Sequence, residues 1–121
     1  PEQYAIPEAL EGDQSHLKVM IEKLEKRRDI MMKELNGIDG IDLVKPQGAF
    51  YAFPKIEVND DAHFVSELIK ETGVIVVPGS GFGQVPGTNH FRIVLLPEEE
   101  TLSKAFKLIG DFYKEYKKKY E

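Results

Sequence analysis

The 121-residue sequence predicts an α+β fold, with a small mixed or antiparallel sheet of three to four strands covered on one face by two long helices and a shorter one. Two segments, Asp13–Leu35 and Pro97–Lys118, repeat apolar residues at spacings of three and four, which is typical of amphipathic helices. Short β-branched and aromatic runs lie between them, separated by glycine and proline, which is typical of strands and turns. This order predicts that the helices pack together on one side of the sheet.

The first long helix is predicted over Asp13–Leu35 and ends at Asn36-Gly37, because both residues tolerate the left-handed conformation of a helix C-terminus. Arg28 lies on the apolar stripe of this helix, so its stem is expected to pack and its head to pair with a carboxylate. Two short strands are predicted next, over Ile41–Val44 and Ala49–Phe53.

The second half of the chain predicts a helix, two strands and a final helix. Asn59-Asp60-Asp61 caps a helix that runs to about Thr72, where Gly73 ends it. Val74–Val77 is a β-branched run and His90–Leu95 is the last strand, before the helix that opens at Pro97. Three residues from different elements are expected to share one core: Leu24, Val76 and Phe106.

Length and composition favour one domain and exclude several classes of protein. The net charge of −5 gives no attraction to nucleic acid or to anionic membranes. No apolar run approaches the roughly 20 residues of a membrane span. The absence of cysteine excludes disulfides and thiol catalysis, and the three histidines lack metal-ligand spacing, so no metal site is predicted. We therefore expect a cytoplasmic protein with no nucleic-acid or membrane partner.

One arginine, Arg92, lies in the middle of an otherwise apolar predicted strand. Strand alternation places Phe91 and Ile93 on the core face and Arg92 on the opposite face. A guanidinium removed from water is costly unless it is paired, and its planar fork can donate two parallel hydrogen bonds to a carboxylate. Arg92 is therefore either an anion-binding residue or the partner of a surface carboxylate in its own domain.

Two glycine motifs precede this strand in the sequence. The first is Gly48-Ala49-Phe50-Tyr51, where a glycine at the start of a strand would let a ligand approach the backbone closely. Here Tyr51 and Phe53 are expected to lie in the core. The second, Pro78–Gly83, leads into a strand rather than a helix, so it is interpreted as a shaped turn and not as a phosphate-binding loop.

In this order, Pro46–Tyr51, Pro78–Gly83 and Phe91-Arg92-Ile93 resemble the C-terminal small domain of class I pyridoxal-phosphate aminotransferases, the aspartate, alanine and aromatic aminotransferase group. The resemblance covers residues 1–121. It implies a substrate-binding site at Arg92, Phe50 and Gly48, in which Arg92 binds the α-carboxylate of the substrate. Phe50 is expected beside Arg92 on the same sheet face.

The resemblance also implies a larger enzyme that transfers an amino group between an amino acid and a 2-oxo acid. Such an enzyme uses pyridoxal phosphate, bound to a lysine of a preceding large domain that is absent from this chain, and forms a homodimer. No catalytic or cofactor-binding residue is therefore expected within residues 1–121, and the isolated chain is expected to be inactive. The alternative is a free-standing α+β module that binds an anion or regulates another protein without catalysis.

Overall fold

A computed structural model describes residues 2–120 and confirms the α+β class. This part of the chain contains four α-helices, a short 3₁₀ turn and a five-stranded antiparallel sheet. The helices are α1 (Glu2–Glu11), α2 (Ser15–Leu35), α3 (Asp61–Thr72) and α4 (Glu99–Tyr120). The strands are β1 (Ile41–Asp42), β2 (Tyr51–Ala52), β3 (Lys55–Ile56), β4 (Val77–Pro78) and β5 (Asn89–Val94), and the 3₁₀ turn spans Gly79–Phe82.

Strand β5 organises the sheet, whose order is β1-β3-β5-β2 with β4 paired to β5. Strands β2 and β3 lie along one edge of β5, and β4 lies along the other. Pro54 separates β2 from β3 because proline cannot donate a ladder hydrogen bond, although its carbonyl still accepts one from the Phe91 amide at 3.1 Å. The predicted second strand thus corresponds to β2 alone, and β3, which follows Pro54, was not predicted and brings the total to five.

The core lies between one face of the sheet and the helices, where α2 and α3 both pack against α4. Its fully buried side chains come from α2, β3, α3, β5 and α4, and include Met31, Leu35, Ile56, Phe64, Leu68, Phe91, Phe106 and Ile109. Val76 and Phe106 belong to this core as predicted, but Leu24 does not. Leu24 is partly exposed and lines a surface pocket instead.

Helix α3 has the predicted caps. The Asp60 side chain accepts a hydrogen bond from the His63 amide at 2.9 Å, and Gly73 has a left-handed φ of 72°. Helix α2 ends where predicted, but Asn36 keeps a right-handed φ of −67°, so the expected left-handed cap is wrong there. The chain reverses later, at Gly40, where φ is 85°.

The packed stem and paired head predicted for Arg28 are observed, but the buried arginine of α2 is its neighbour Arg27. Its Nη1 donates a hydrogen bond of 2.7 Å to the carbonyl of Leu96, just after β5. Its guanidinium also lies 3.2 Å from the Glu98 carboxylate and 3.4 Å from that of Glu99. Arg28 is partly exposed and pairs with Asp29 at 3.1 Å. Arg27 thus connects α2 to the segment that joins β5 to α4.

Helix α1 was not predicted. None of its residues is buried, so this helix contributes nothing to the core. None of the helices within residues 2–120 combines the length and the apolar character that crossing a membrane requires.

Candidate functional site

The face of the sheet that points away from the helices carries a cluster of aromatic rings around Arg92. We call it the outer-face cluster, and it consists of Tyr51, Phe53, Phe82, His90 and Arg92. Four of these residues come from β5 and from the segment around β2, whereas Phe82 reaches the cluster from the end of the 3₁₀ turn. Arg92 points away from the core, as alternation predicted, because its neighbours Phe91 and Ile93 are buried.

The Arg92 guanidinium is held against two aromatic rings. Its Cζ lies 4.0 Å from the centroid of the Phe82 ring and 4.9 Å from that of Tyr51. Both contacts are within the range of attractive cation–π interactions. Among residues 2–120 no carboxylate forms an ion pair with it, and its buried Nε has no hydrogen-bond partner. The intradomain ion pair considered from the sequence is therefore not observed, and the buried donor is suited to an acceptor from another molecule.

Arg92 also lines a groove of about 430 Å³ on this face. The other lining residues are Val44, Pro46, Tyr51, Ala52, Phe53 and Phe82. Apart from the Tyr51 hydroxyl, these side chains are apolar, so a carboxylate entering the groove would meet one cation in surroundings of low polarity. A charge pair is stronger in such surroundings than in bulk water.

Phe50 does not share the face of Arg92, so that prediction is wrong. The sheet register pairs Ala52 with Ile93, which puts Ala52 on the core side and Tyr51 on the outer side. Phe50, two residues before Ala52, accepts a hydrogen bond from the Leu95 amide at 2.8 Å and lies beside Leu95. The aromatic side chain of this segment that contacts Arg92 is Tyr51.

Gly48 and Phe50 instead line a second pocket, of about 360 Å³, between the start of β2 and helix α2. Tyr51 and Phe53, predicted to lie in the core, are 41% and 37% exposed on the outer face. Alternation had separated Phe50 from Tyr51 correctly. The sequence alone did not reveal the register between β2 and β5, and this register decides whether Phe50 or Tyr51 lies beside Arg92.

The 3₁₀ turn packs closely against β5 at Gly79, where the lack of a side chain permits the close approach. A Cβ on Gly79 would lie 2.6 Å from the His90 Cβ and 2.7 Å from the His90 carbonyl oxygen, so a larger residue could not pack there. Gly83 then ends the turn with a φ of 69°. The Pro78–Gly83 motif is thus a shaped turn, and it delivers Phe82 to Arg92.

His90 adds a second titratable group to the cluster. Its ring stacks on Phe53 with centroids 4.7 Å apart and planes within 7°. Burial lowers the pKa of His90 below its usual value of 6.5, and the nearby charge of Lys55 lowers it further, whereas Asp61 acts in the opposite direction. The neutral ring is favoured near pH 7, which leaves Arg92 as the cation lining the groove.

The outer-face cluster contains neither a lysine nor a set of metal ligands. No lysine lines the groove of Arg92. Across residues 2–120, no group of three or more histidine, aspartate or glutamate side chains is arranged to hold a metal ion. The arrangement can bind and orient an anion, but it supplies no lysine amine.

A small α+β domain with an arginine at an apolar groove is what the aminotransferase resemblance implies, and comparison with known proteins agrees. The family described as aminotransferase class I and II matches residues 1–109, and the chain belongs to this family. It is 38% identical to a probable mitochondrial alanine aminotransferase of Dictyostelium discoideum, over 91% of this chain and 24% of that protein. It is 36% identical to an alanine aminotransferase of Mycobacterium tuberculosis, over 97% of this chain and 29% of that protein.

Solved structures agree with the sequence relatives. An alanine aminotransferase from Pyrococcus furiosus matches with a TM-score of 0.86 and 46% identity, over 93% of this chain and 29% of the other. An aromatic aminotransferase from Pyrococcus horikoshii matches with a TM-score of 0.81 and 37% identity, over 95% of this chain and 31% of the other. The chain thus spans less than a third of the length of these proteins.

Proposed function

We propose that residues 1–121 form the small domain of a pyridoxal-phosphate-dependent aminotransferase, in which Arg92 binds the α-carboxylate of the amino-acid or 2-oxo-acid substrate. The observation that carries the proposal is the buried, unpartnered Nε of Arg92 at an apolar groove. The family match and the aminotransferase relatives support the same class of enzyme.

The described residues bind and orient the substrate in this proposal. The guanidinium offers a planar pair of donors to the carboxylate, while Phe82 and Tyr51 cover it and restrict access of water. Restricting water strengthens the charge pair and fixes the orientation of the substrate.

We infer that residues 2–120 do not hold pyridoxal phosphate by themselves. The groove lacks a lysine, and the Ser80 amide in the glycine-rich turn donates to Asp61 and is not free for a phosphate. We therefore propose that a separate large domain of the complete enzyme holds the cofactor, which acts as an electron sink in transamination. The matched relatives, three to four times as long as this chain, leave room for such a domain.

The proposed complete enzyme is a cytoplasmic homodimer that exchanges an amino group between an amino acid and a 2-oxo acid. In this proposal Arg92 binds the substrate carboxylate, and Tyr51 and Phe82 lie beside it. Substrate contact by Gly48 and Phe50 stays a prediction, because the two residues line the neighbouring pocket rather than the groove.

Replacing Arg92 in the complete enzyme tests the proposal. In Arg92→Lys we expect kcat/KM for alanine to fall by roughly 5- to 150-fold, since losing the bidentate geometry of a charged hydrogen bond costs about 1–3 kcal/mol. Ethylamine, which lacks the carboxylate, should react equally with variant and wild type. Lys104→Arg is the control, because Lys104 is exposed on α4 and already pairs with Glu100. An unchanged kcat/KM for alanine in Arg92→Lys would refute the assignment.

A further inference from the structure

Asp61 is a buried acidic residue whose side chain points toward the glycine-rich turn. It is 4% exposed, at the first position of α3. Its Oδ2 accepts a hydrogen bond of 2.7 Å from the backbone amide of Ser80, which lies in the 3₁₀ turn. The N-cap of α3 is already provided by Asp60, so capping does not account for the buried carboxylate of Asp61.

The turn that Asp61 holds leads directly to the Arg92 guanidinium. Its beginning is fixed by β4, where Val77 pairs with Arg92, and by the close approach of Gly79 to His90. Its end carries Phe82, which is partly exposed and lies over the guanidinium. Between these points, the Asp61 hydrogen bond to Ser80 fixes the turn from the side of α3.

We propose that Asp61 is a positioning residue for the Arg92 site, which holds the 3₁₀ turn so that the Phe82 ring stays over the guanidinium. A ring in this place removes water from part of the guanidinium and limits its rotation, while the buried Nε keeps no hydrogen-bond partner within residues 2–120. The identity of the anion as a substrate carboxylate rests on the proposed function. The coupling of Asp61 to Phe82 and Arg92 is independent of that function.

NMR spectroscopy of the 121-residue chain tests this coupling. An aromatic ring face shifts nearby protons upfield, so the Arg92 side-chain resonances report the position of Phe82. In Asp61→Ala we expect these resonances to move toward those of Phe82→Leu, and the Ser80 amide to exchange at least about tenfold faster through loss of a charged hydrogen bond. Ser80→Ala is the matched control, since it keeps the backbone amide and should leave both readouts as in wild type.

Asp61→Asn keeps the inference testable if Asp61→Ala does not fold. Its neutral oxygen can still accept the hydrogen bond more weakly, so we expect a smaller shift of the Arg92 resonances in the same direction. Wild-type Arg92 resonances in Asp61→Ala, or no shift in Asp61→Asn when the alanine variant is unfolded, would overturn the positioning role.

A titration with acetate separates this inference from the proposed function. We expect acetate to shift the Arg92 Nε–Hε resonance of the wild type, and to bind more weakly to Asp61→Ala. If acetate does not shift the Arg92 resonances but Asp61→Ala does, carboxylate binding is contradicted. The coupling between Asp61 and Arg92 would then still hold. Equal acetate affinity in both proteins would overturn the effect of Asp61 on binding.

Discussion

Replacing Arg27 should destabilise the fold more than replacing its neighbour Arg28. Arg27 is buried and donates a 2.7 Å hydrogen bond to the carbonyl of Leu96, 69 positions away in the chain. A hydrogen bond that involves a charged group contributes about 1.5–3 kcal/mol. The carboxylates of Glu98 and Glu99 reach solvent, so their attraction to Arg27 is screened and they stay hydrated when the arginine is removed.

The substitution Arg27→Met keeps an unbranched apolar stem and removes the donor. We therefore expect it to lower the free energy of unfolding by about 2 kcal/mol, at the level of the lost hydrogen bond. Urea unfolding followed by circular dichroism measures this quantity. With a slope of about 1–3 kcal/mol per molar urea, the midpoint should fall by roughly 0.7–2 M. The slope itself should not change, since the core stays intact.

Arg28→Met is the matched control on the same helix. Arg28 is partly exposed and pairs with Asp29 and Glu25 at the surface, so its loss should shift the urea midpoint much less. Equal midpoint shifts for the two variants would refute the reasoning. An Arg27→Met protein as stable as wild type would also refute the reasoning, because the hydrogen bond to Leu96 would then contribute nothing to stability.

Three further predictions concern stability, pH and the isolated chain. Gly40→Ala should lower the thermal unfolding midpoint strongly, because φ is 85° and the added Cβ would collide with the Tyr113 hydroxyl, whereas Gly37→Ala should change it little. Stability should decrease as pH falls through about 6.5 toward the lowered folded-state pKa of His90, since the unfolded chain binds the proton more readily. His90→Gln should reduce this dependence in urea titrations between about pH 5 and 7. Finally, pyridoxal phosphate followed by borohydride should label the lysines of the isolated chain weakly and at many positions, and peptide mapping that found one saturable lysine would contradict the proposed domain assignment.

The helices could be predicted because their signals are local. Asp60 and Gly73 bound α3 through hydrogen bonds and backbone conformations that involve only nearby residues. The start of α4 is also marked locally, by Pro97 and by the acidic residues Glu99 and Glu100 in its first turn. Arg92 was found for a similar reason, since one charged residue between Phe91 and Ile93 already implies a side chain on the opposite face of the strand.

The aromatic partner of Arg92 could not be predicted because it depends on strand register. Phe50 and Tyr51 are adjacent aromatics of similar size, and pairing of Ala52 with Ile93 alone sends Tyr51 outward. A register shifted by one residue would have reversed their faces. The burial of Arg27 could not be predicted for a similar reason, because it contacts the Leu96 carbonyl, 69 positions later in the chain.

Strand β5 also determines where this domain can gain or lose residues. All six residues from Asn89 to Val94 have a partner in β2, β3 or β4. An insertion within β5 before Arg92 would therefore shift the pairing of Arg92 by one residue and turn it toward the core. The segment between the 3₁₀ turn and β5 lies outside the sheet and is mostly exposed, so a change in its length need not shift the register of β5. Variation in chain length can accumulate there, between Phe82 and Asn89, without displacing the guanidinium from its groove.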